Sequence, residues 1–95
     1  MSEELSRNTL LPNQRTEVVW DDYLACAYAE GFAEGEDASN EEKLEAWSYL
    51  IVTGKCWSLQ GQYGRTATSL IEQGLIDEDG FINWNELDNL INEAL

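Results

Sequence analysis

The chain has 95 residues, 43% of them apolar, with four Trp, four Tyr and two Phe, enough for one modest aromatic core and too few for two. Nineteen acids against five basic residues give a formal net charge of −14, a balance that repels nucleic acid and anionic membrane and attracts basic protein surfaces. The absence of His removes the commonest general base and zinc ligand, and two Cys are too few for a disulfide framework, so the composition argues against an enzyme and against a disulfide scaffold.

In chain order, MSEELSRNTLLPNQRT (1–16) is polar, holds the only proline, Pro12, and sums to zero charge. It reads as a flexible N-terminal arm ahead of a single acidic helical domain over 17–95. It lacks the basic front and apolar run of a signal peptide, and no segment has the ~20 apolar residues of a membrane span, so a soluble, cytoplasmic protein is expected. From Val18 to Gly35, the residues Trp20, Leu24, Ala27 and Gly31 follow helical spacing. Ala27, Gly31 and Gly35 recur at every fourth position, a face that another helix can approach closely. GEDASN is a loop, and Ser39 with Glu42 makes a capping box ahead of Leu44, Trp47, Leu50 and Ile51. Trp57 continues that spacing, which favours one helix over about 41–60 with Gly54 inside it.

GQYG (61–64) turns the chain into a third helix carrying Ala67, Leu70 and Ile71, which Gly74 stops by turning left-handed. LIDEDGFI reads as two short extended arms around an acidic turn, a minimal β-hairpin near 75–82. Asn83 with Glu86 then caps a last helix whose apolar face is Leu87, Leu90, Ile91 and Leu95, with Ile82 placed to staple against Leu87. The expected fold is therefore mainly α: a compact four-helix domain with a minimal hairpin.

Charge is distributed unevenly along this scaffold. Residues 17–45 sum to −9, 72–95 to −7, and 46–71 contain no acid at all and sum to +2. The acid-free block is expected to be the buried scaffold, with the acidic segments as its coat. Asp21, Asp22, Glu30, Glu34, Glu36, Asp37, Glu41, Glu42 and Glu45 crowd one half with only Lys43 to offset them, and Asp77, Glu78 and Asp79 crowd the later turn. Solubility alone needs a net charge of only about 2 to 8 in a small domain. These twelve carboxylates are the candidate partner-binding residues, and Trp20 and Trp84, each beside acids, are candidate exposed anchors.

Three local patterns carry competing readings. DEDGFINWNE resembles the second part of an EF-hand calcium loop, with Asp77, Asp79, Asn83 and Glu86 at ligand positions, but Leu75 stands where the first ligand belongs. A degenerate calcium module is thus an alternative; no metal site, cofactor or catalytic residue is expected. GQYG resembles the glycine loop of KH domains, yet the sheet and basic surface of that fold are missing from the pattern, so the glycines read as a tight turn and Arg65 as an internal ion-pair partner. GLIDEDGFI has the outline of a winged-helix wing, but with seven acids and no base from residue 72 onward it would oppose DNA.

The block WSYLIVTGKCWSLQGQYGRTATSLIEQGLI resembles small, uncharacterised bacteriophage proteins over about a third of the chain. In size and acidity the chain is similar to phage inhibitors, including the DNA mimics that block restriction enzymes and the anti-CRISPR proteins. The block resemblance implies a phage or prophage origin without assigning an activity; with the acidity, the expectation is a non-enzymatic inhibitor whose acidic faces occupy a basic, nucleic-acid-binding surface of a host protein, acting in the cytoplasm of an infected bacterium, with no direct contact to nucleic acid or membrane. The alternative is a small structural or regulatory subunit that uses an aromatic patch for homo-oligomer or partner contact, its acids serving solubility only.

Overall fold

The structure, a computed structural model, describes residues 11, 13–59 and 62–94. Five α-helices and one 3-10 turn form among them: α1 (Asp22–Glu30), the 3-10 turn (Ala33–Gly35), α2 (Asn40–Val52), α3 (Lys55–Ser58), α4 (Tyr63–Glu72) and α5 (Trp84–Ala94). The domain is mainly helical, as the spacing anticipates, and the described residues form one compact body around α2. No described helix is long and apolar enough to cross a membrane.

Capping side chains set where the helices start. Asp21 accepts from the Leu24 N–H at 2.8 Å and opens α1, while the Ser39 hydroxyl and the Glu42 carboxylate exchange bonds with each other's amides at 3.1 and 2.9 Å and open α2. Before α5, Asn83 accepts from the Glu86 N–H at 3.2 Å, and Ile82 and Leu87 are both buried beside it.

Glycines set where they stop, and here two expectations are corrected. The helix read from Val18 to Gly35 ends at Gly31, whose φ of 81° turns the chain back on itself. The small residues do meet, but through this reversal: a Cβ on Gly35 would lie 2.3 Å from the carbonyl oxygen of Ala27, so only glycine lets the 3-10 turn rest on α1. The single helix over 41–60 is likewise two, because Gly54 takes φ 77° and separates α2 from the one-turn α3. At Gly74 the expectation holds. Its φ is 80°, and the amides of Gly74 and Leu75 bond back to Ile71 and Leu70 and close α4.

The β-hairpin near 75–82 is also corrected. No strand forms among the described residues; one isolated antiparallel bridge joins Ile76 to Ile82, flanked by bonds from Asp77 N–H to the Phe81 carbonyl and from Asn83 N–H to the Leu75 carbonyl. Pairing goes no further because the loop folds inward and its outer edge is already occupied. Asp77 accepts from the amides of Asp79 and Phe81, and the Asn13 side chain both accepts from and donates to the Ile82 backbone.

Trp20, Leu44, Trp47, Leu50, Ile51, Cys56, Ala67, Ile76, Ile82 and Leu87 belong to one core. Ala25 of α1 joins this core, Ala27 is buried where the 3-10 turn rests on α1, and Trp20 meets Tyr28 edge-on at 4.9 Å. The acid-free block divides between interior and surface. Ala46 to Ile51 is core apart from half-buried Tyr49, whereas Val52, Lys55, Trp57, Ser58, Arg65, Thr68 and Ser69 are exposed, so part of this block is an acid-free surface and not scaffold. The helix pattern placed apolar residues correctly on α2 and on α4, where Ala67 is buried and Leu70 and Ile71 pack against the core, but misplaced Trp57 on the short α3.

Of the arm read over 1–16, residues 1–10 and Pro12 lie outside the described residues. Leu11 is buried, and 13–20 form a strap across the domain. Trp84 donates its indole N–H to the Asn13 carbonyl at 2.7 Å, and the Arg15 guanidinium stacks 4.6 Å from the Trp84 ring while pairing with Glu41 at 3.1 Å and Asp88 at 3.2 Å. The strap thereby ties α5 to α2.

Candidate functional site

The twelve carboxylates singled out by charge separate into three groups. Glu45 leaves the set: it is 0% exposed, and its carboxylate accepts four hydrogen bonds, from the Arg15 and Thr16 amides at 2.7 Å each, the Thr16 hydroxyl at 2.5 Å and the Trp20 indole at 3.2 Å. Its place on the surface is corrected for a physical reason. Every donor it meets is already inside the fold, so a carboxylate with four acceptor directions satisfies them where an apolar side chain would strand them.

A second group is exposed but engaged. Asp21 caps α1, and Glu41 and Glu42 serve Arg15 and the α2 cap. Asp22 receives Lys55 at 3.1 Å and the Tyr49 hydroxyl at 2.8 Å. These contacts, the Tyr49 bond first, hold the Asp22 carboxyl below its ordinary range. Burial, then the bond to Asp22, push the Tyr49 phenol up to about 12.

The two shifts act at opposite ends of the pH scale. Asp22, depressed in the folded state, stabilises above its unfolded value of about 3.9 and loses that contribution as pH falls through its folded value. Exposure of the pair screens this to under ~1 kcal/mol. Tyr49, raised in the folded state, contributes in full below about 10 and loses its contribution as pH rises through about 12. Tyrosinate absorbance against pH is expected to show a step near 12 that Tyr49→Phe deletes. A titration with no step above about 10.5 contradicts the assignment.

The third group is free to meet a partner. Glu30, Glu34, Glu36 and Asp37 follow one another from the end of α1 through the 3-10 turn, all exposed, with phenol donors from Tyr63 to Glu30 and from Tyr23 to Glu34 at 2.8 Å fixing two of them. Asp77, Glu78 and Asp79 form the second patch. It sits at the opposite end of α2, since the Ser48 hydroxyl donates to the Gly80 carbonyl at 2.5 Å and a Cβ on Gly80 would meet Val52. α2 is roughly 20 Å long, so the patches are separated by about that span. The same length of duplex DNA carries about 12 charges, against seven carboxylates here, so the two patches make a sparse array and not a phosphate-dense one.

Other expectations about side chains change too. Trp20 is 1% exposed and bonded to Glu45, and Trp84 is half-buried beneath Arg15, so neither is an exposed anchor. Trp57, which the sequence pattern placed in a core row, is 53% exposed instead. Its ring rests over Gly64 and borders an open trough with Arg65, Thr68, Ser69 and Glu72. No ion pair of Arg65 occurs among the described residues. Burial, as the leading cause, pushes both free thiols, Cys26 and Cys56, up, away from the thiolate a nucleophile needs. Asp77 spends its carboxylate on its own loop amides, and no group of three or more metal-ligating side chains occurs among the described residues.

Fold and surface together define a small, strap-bound, all-helical acidic domain with two outward carboxylate patches. A family model matches residues 31–93, and the chain belongs to that family, a domain of unknown function, DUF7417. No curated protein and no solved structure is found to match. The matched region opens at Gly31, immediately after α1, so the strap and α1 lie outside it.

Proposed function

We propose that this protein is a non-enzymatic inhibitor of phage type that binds a basic, nucleic-acid-binding surface of a host protein through its two acidic patches. The observation that carries the reading is how the charges are spent. Arg15 and Lys55 are consumed by Glu41, Asp88 and Asp22, while Glu34, Glu36, Asp37, Glu78 and Asp79 face outward on backbone held in place by Gly35 and Gly80. Rigid, uncompensated carboxylates attract a cationic groove at long range and displace its counterions as nucleic acid does. The sparse array favours contact at two points over imitation of a continuous duplex.

The test is capture from a bacterial lysate on the immobilised protein at low salt, followed by a salt gradient. A nucleic-acid-binding protein is expected to elute with salt, and Glu34→Gln/Glu36→Gln/Asp37→Asn is expected to bind it about tenfold more weakly. Affinity that is flat between low salt and about 0.5 M contradicts the reading.

The exposed Trp57 on the α3–α4 surface favours a second reading, a structural or regulatory subunit that associates through that aromatic side chain. Its signature is a concentration-dependent mass insensitive to salt and abolished by Trp57→Ala.

A further inference from the structure

Beside the second patch, between the end of α4 and the 76–83 loop, lies an open groove of about 650 Å³ whose walls include Ile71, Gly74, Phe81 and Asn13 along with Asp77, Glu78 and Asp79. Its electrostatics are one-sided. No cationic side chain lines it, and α4, ten residues long, ends at its rim, so the partial negative charge of the helix C-terminus adds to three carboxylates. It is also apolar on one side: Phe81 is 47% exposed, and Ile71 is half-buried. The loop is clamped from within by Asp77, from α2 by Ser48 and from the strap by Asn13, so a ligand meets a preformed wall and orders little on binding.

We propose that this groove is the docking site for an extended basic segment of the partner in which Lys or Arg alternates with an aliphatic residue. The proposal rests on the acidic-face reading and adds to it where the partner is gripped and by what chemistry. The cationic heads meet Glu78, Asp79 and the α4 terminus, and the aliphatic side chains lie on Phe81 and Ile71. Asp77, engaged with loop amides, contributes charge without being a direct ligand. A bare divalent cation does not suit the groove, because it leaves the Phe81 wall unused and no group of three or more metal-ligating side chains occurs among the described residues.

The experiment is an amide-resolved NMR titration of the full chain with two peptides of equal charge, Ac-Arg-Leu-Arg-Leu-Arg-NH2 and Ac-Arg-Gly-Arg-Gly-Arg-NH2. The leucine peptide is expected to perturb residues 71–83 and to bind about tenfold more tightly than the glycine peptide. Phe81→Ala, at an exposed position, is expected to erase that preference. Glu78→Gln/Asp79→Asn is expected to weaken both peptides about tenfold. Equal binding of the two peptides with shifts confined to 30–37 overturns the groove and leaves the acidic-face reading standing, whereas no binding of either at low salt removes both. Calcium chloride that reproduces the leucine-peptide shifts also overturns the proposal, in favour of a metal loop.

Discussion

Replacing Glu45 by alanine is expected to lower the stability of the domain by about 4 kcal/mol, read as a fall in the urea midpoint at unchanged slope. The carboxylate is fully buried and meets four donors. Truncation leaves the Arg15 and Thr16 amides, the Thr16 hydroxyl and the Trp20 indole without an acceptor, and each stranded donor costs ~1–3 kcal/mol before any relaxation. Glu45→Gln is expected to cost about 2 kcal/mol, since it keeps the shape but turns one acceptor into a donor facing donors. Trp20→Phe removes the longest of the four bonds together with part of a buried ring, so its loss is an upper bound on the indole contact. A loss under ~1 kcal/mol in Glu45→Ala shows that water replaces the carboxylate and that the strap is held elsewhere. Against a typical total of 5–15 kcal/mol, the expected loss removes a large share of what keeps a domain of this size folded.

The second large effect concerns the region the family model matches. A fragment of residues 31–93 is expected to show no cooperative unfolding transition, although it contains all but one of the five helices. All four Glu45 donors lie at positions 15–20, outside the fragment. So do Trp20, the largest fully buried side chain among the described residues, and Ala25, through which α1 joins the core. The fragment would hold a carboxylate facing nothing and a stripped apolar face, and each defect alone is of the order of the domain's stability. A synthetic peptide of residues 11–30 added in trans is expected to restore helical circular dichroism and a sigmoidal melt. A fragment that melts cooperatively alone makes the strap and α1 accessory.

Much of the helical framework is legible in the residues themselves. Ser39 and Glu42 announce the start of α2, and Gly74 the end of α4, because both signals are local and act through bonds made within one turn. Gly31 and Gly54 were equally visible but ambiguous, since a glycine in an apolar period either sits inside a helix at a cost of about 1 kcal/mol or ends it. The surrounding packing decides between the two. The surface acids were legible as a group, because isolated carboxylates next to loop residues rarely find cover. Glu45 was not. Leu44 through Ser48 are buried in succession, so α2 is covered on all sides, and no period distinguishes an inward position from an outward one. Its donors come from thirty residues earlier in the chain, a separation no local pattern encodes. Trp57 failed in the opposite sense, its row continuing that of α2 in sequence while Gly54 rotated it out to solvent in space.

The strap is recognised in part through peptide groups: two of the four bonds to Glu45 are given by backbone amides, and Trp84 donates to the carbonyl of Asn13. Peptide groups are identical in every residue but proline, so this part of the contact constrains chain path far more than spelling. The peptide share of the contact tolerates any residue but proline at positions 15 and 16, whereas Asn13, Arg15, Thr16 and Trp20 add contacts that depend on their side chains. The matched region begins at Gly31, inside a folding unit that extends back at least to Leu11. Part of what binds the strap is therefore written at position 45, on the other side of the contact.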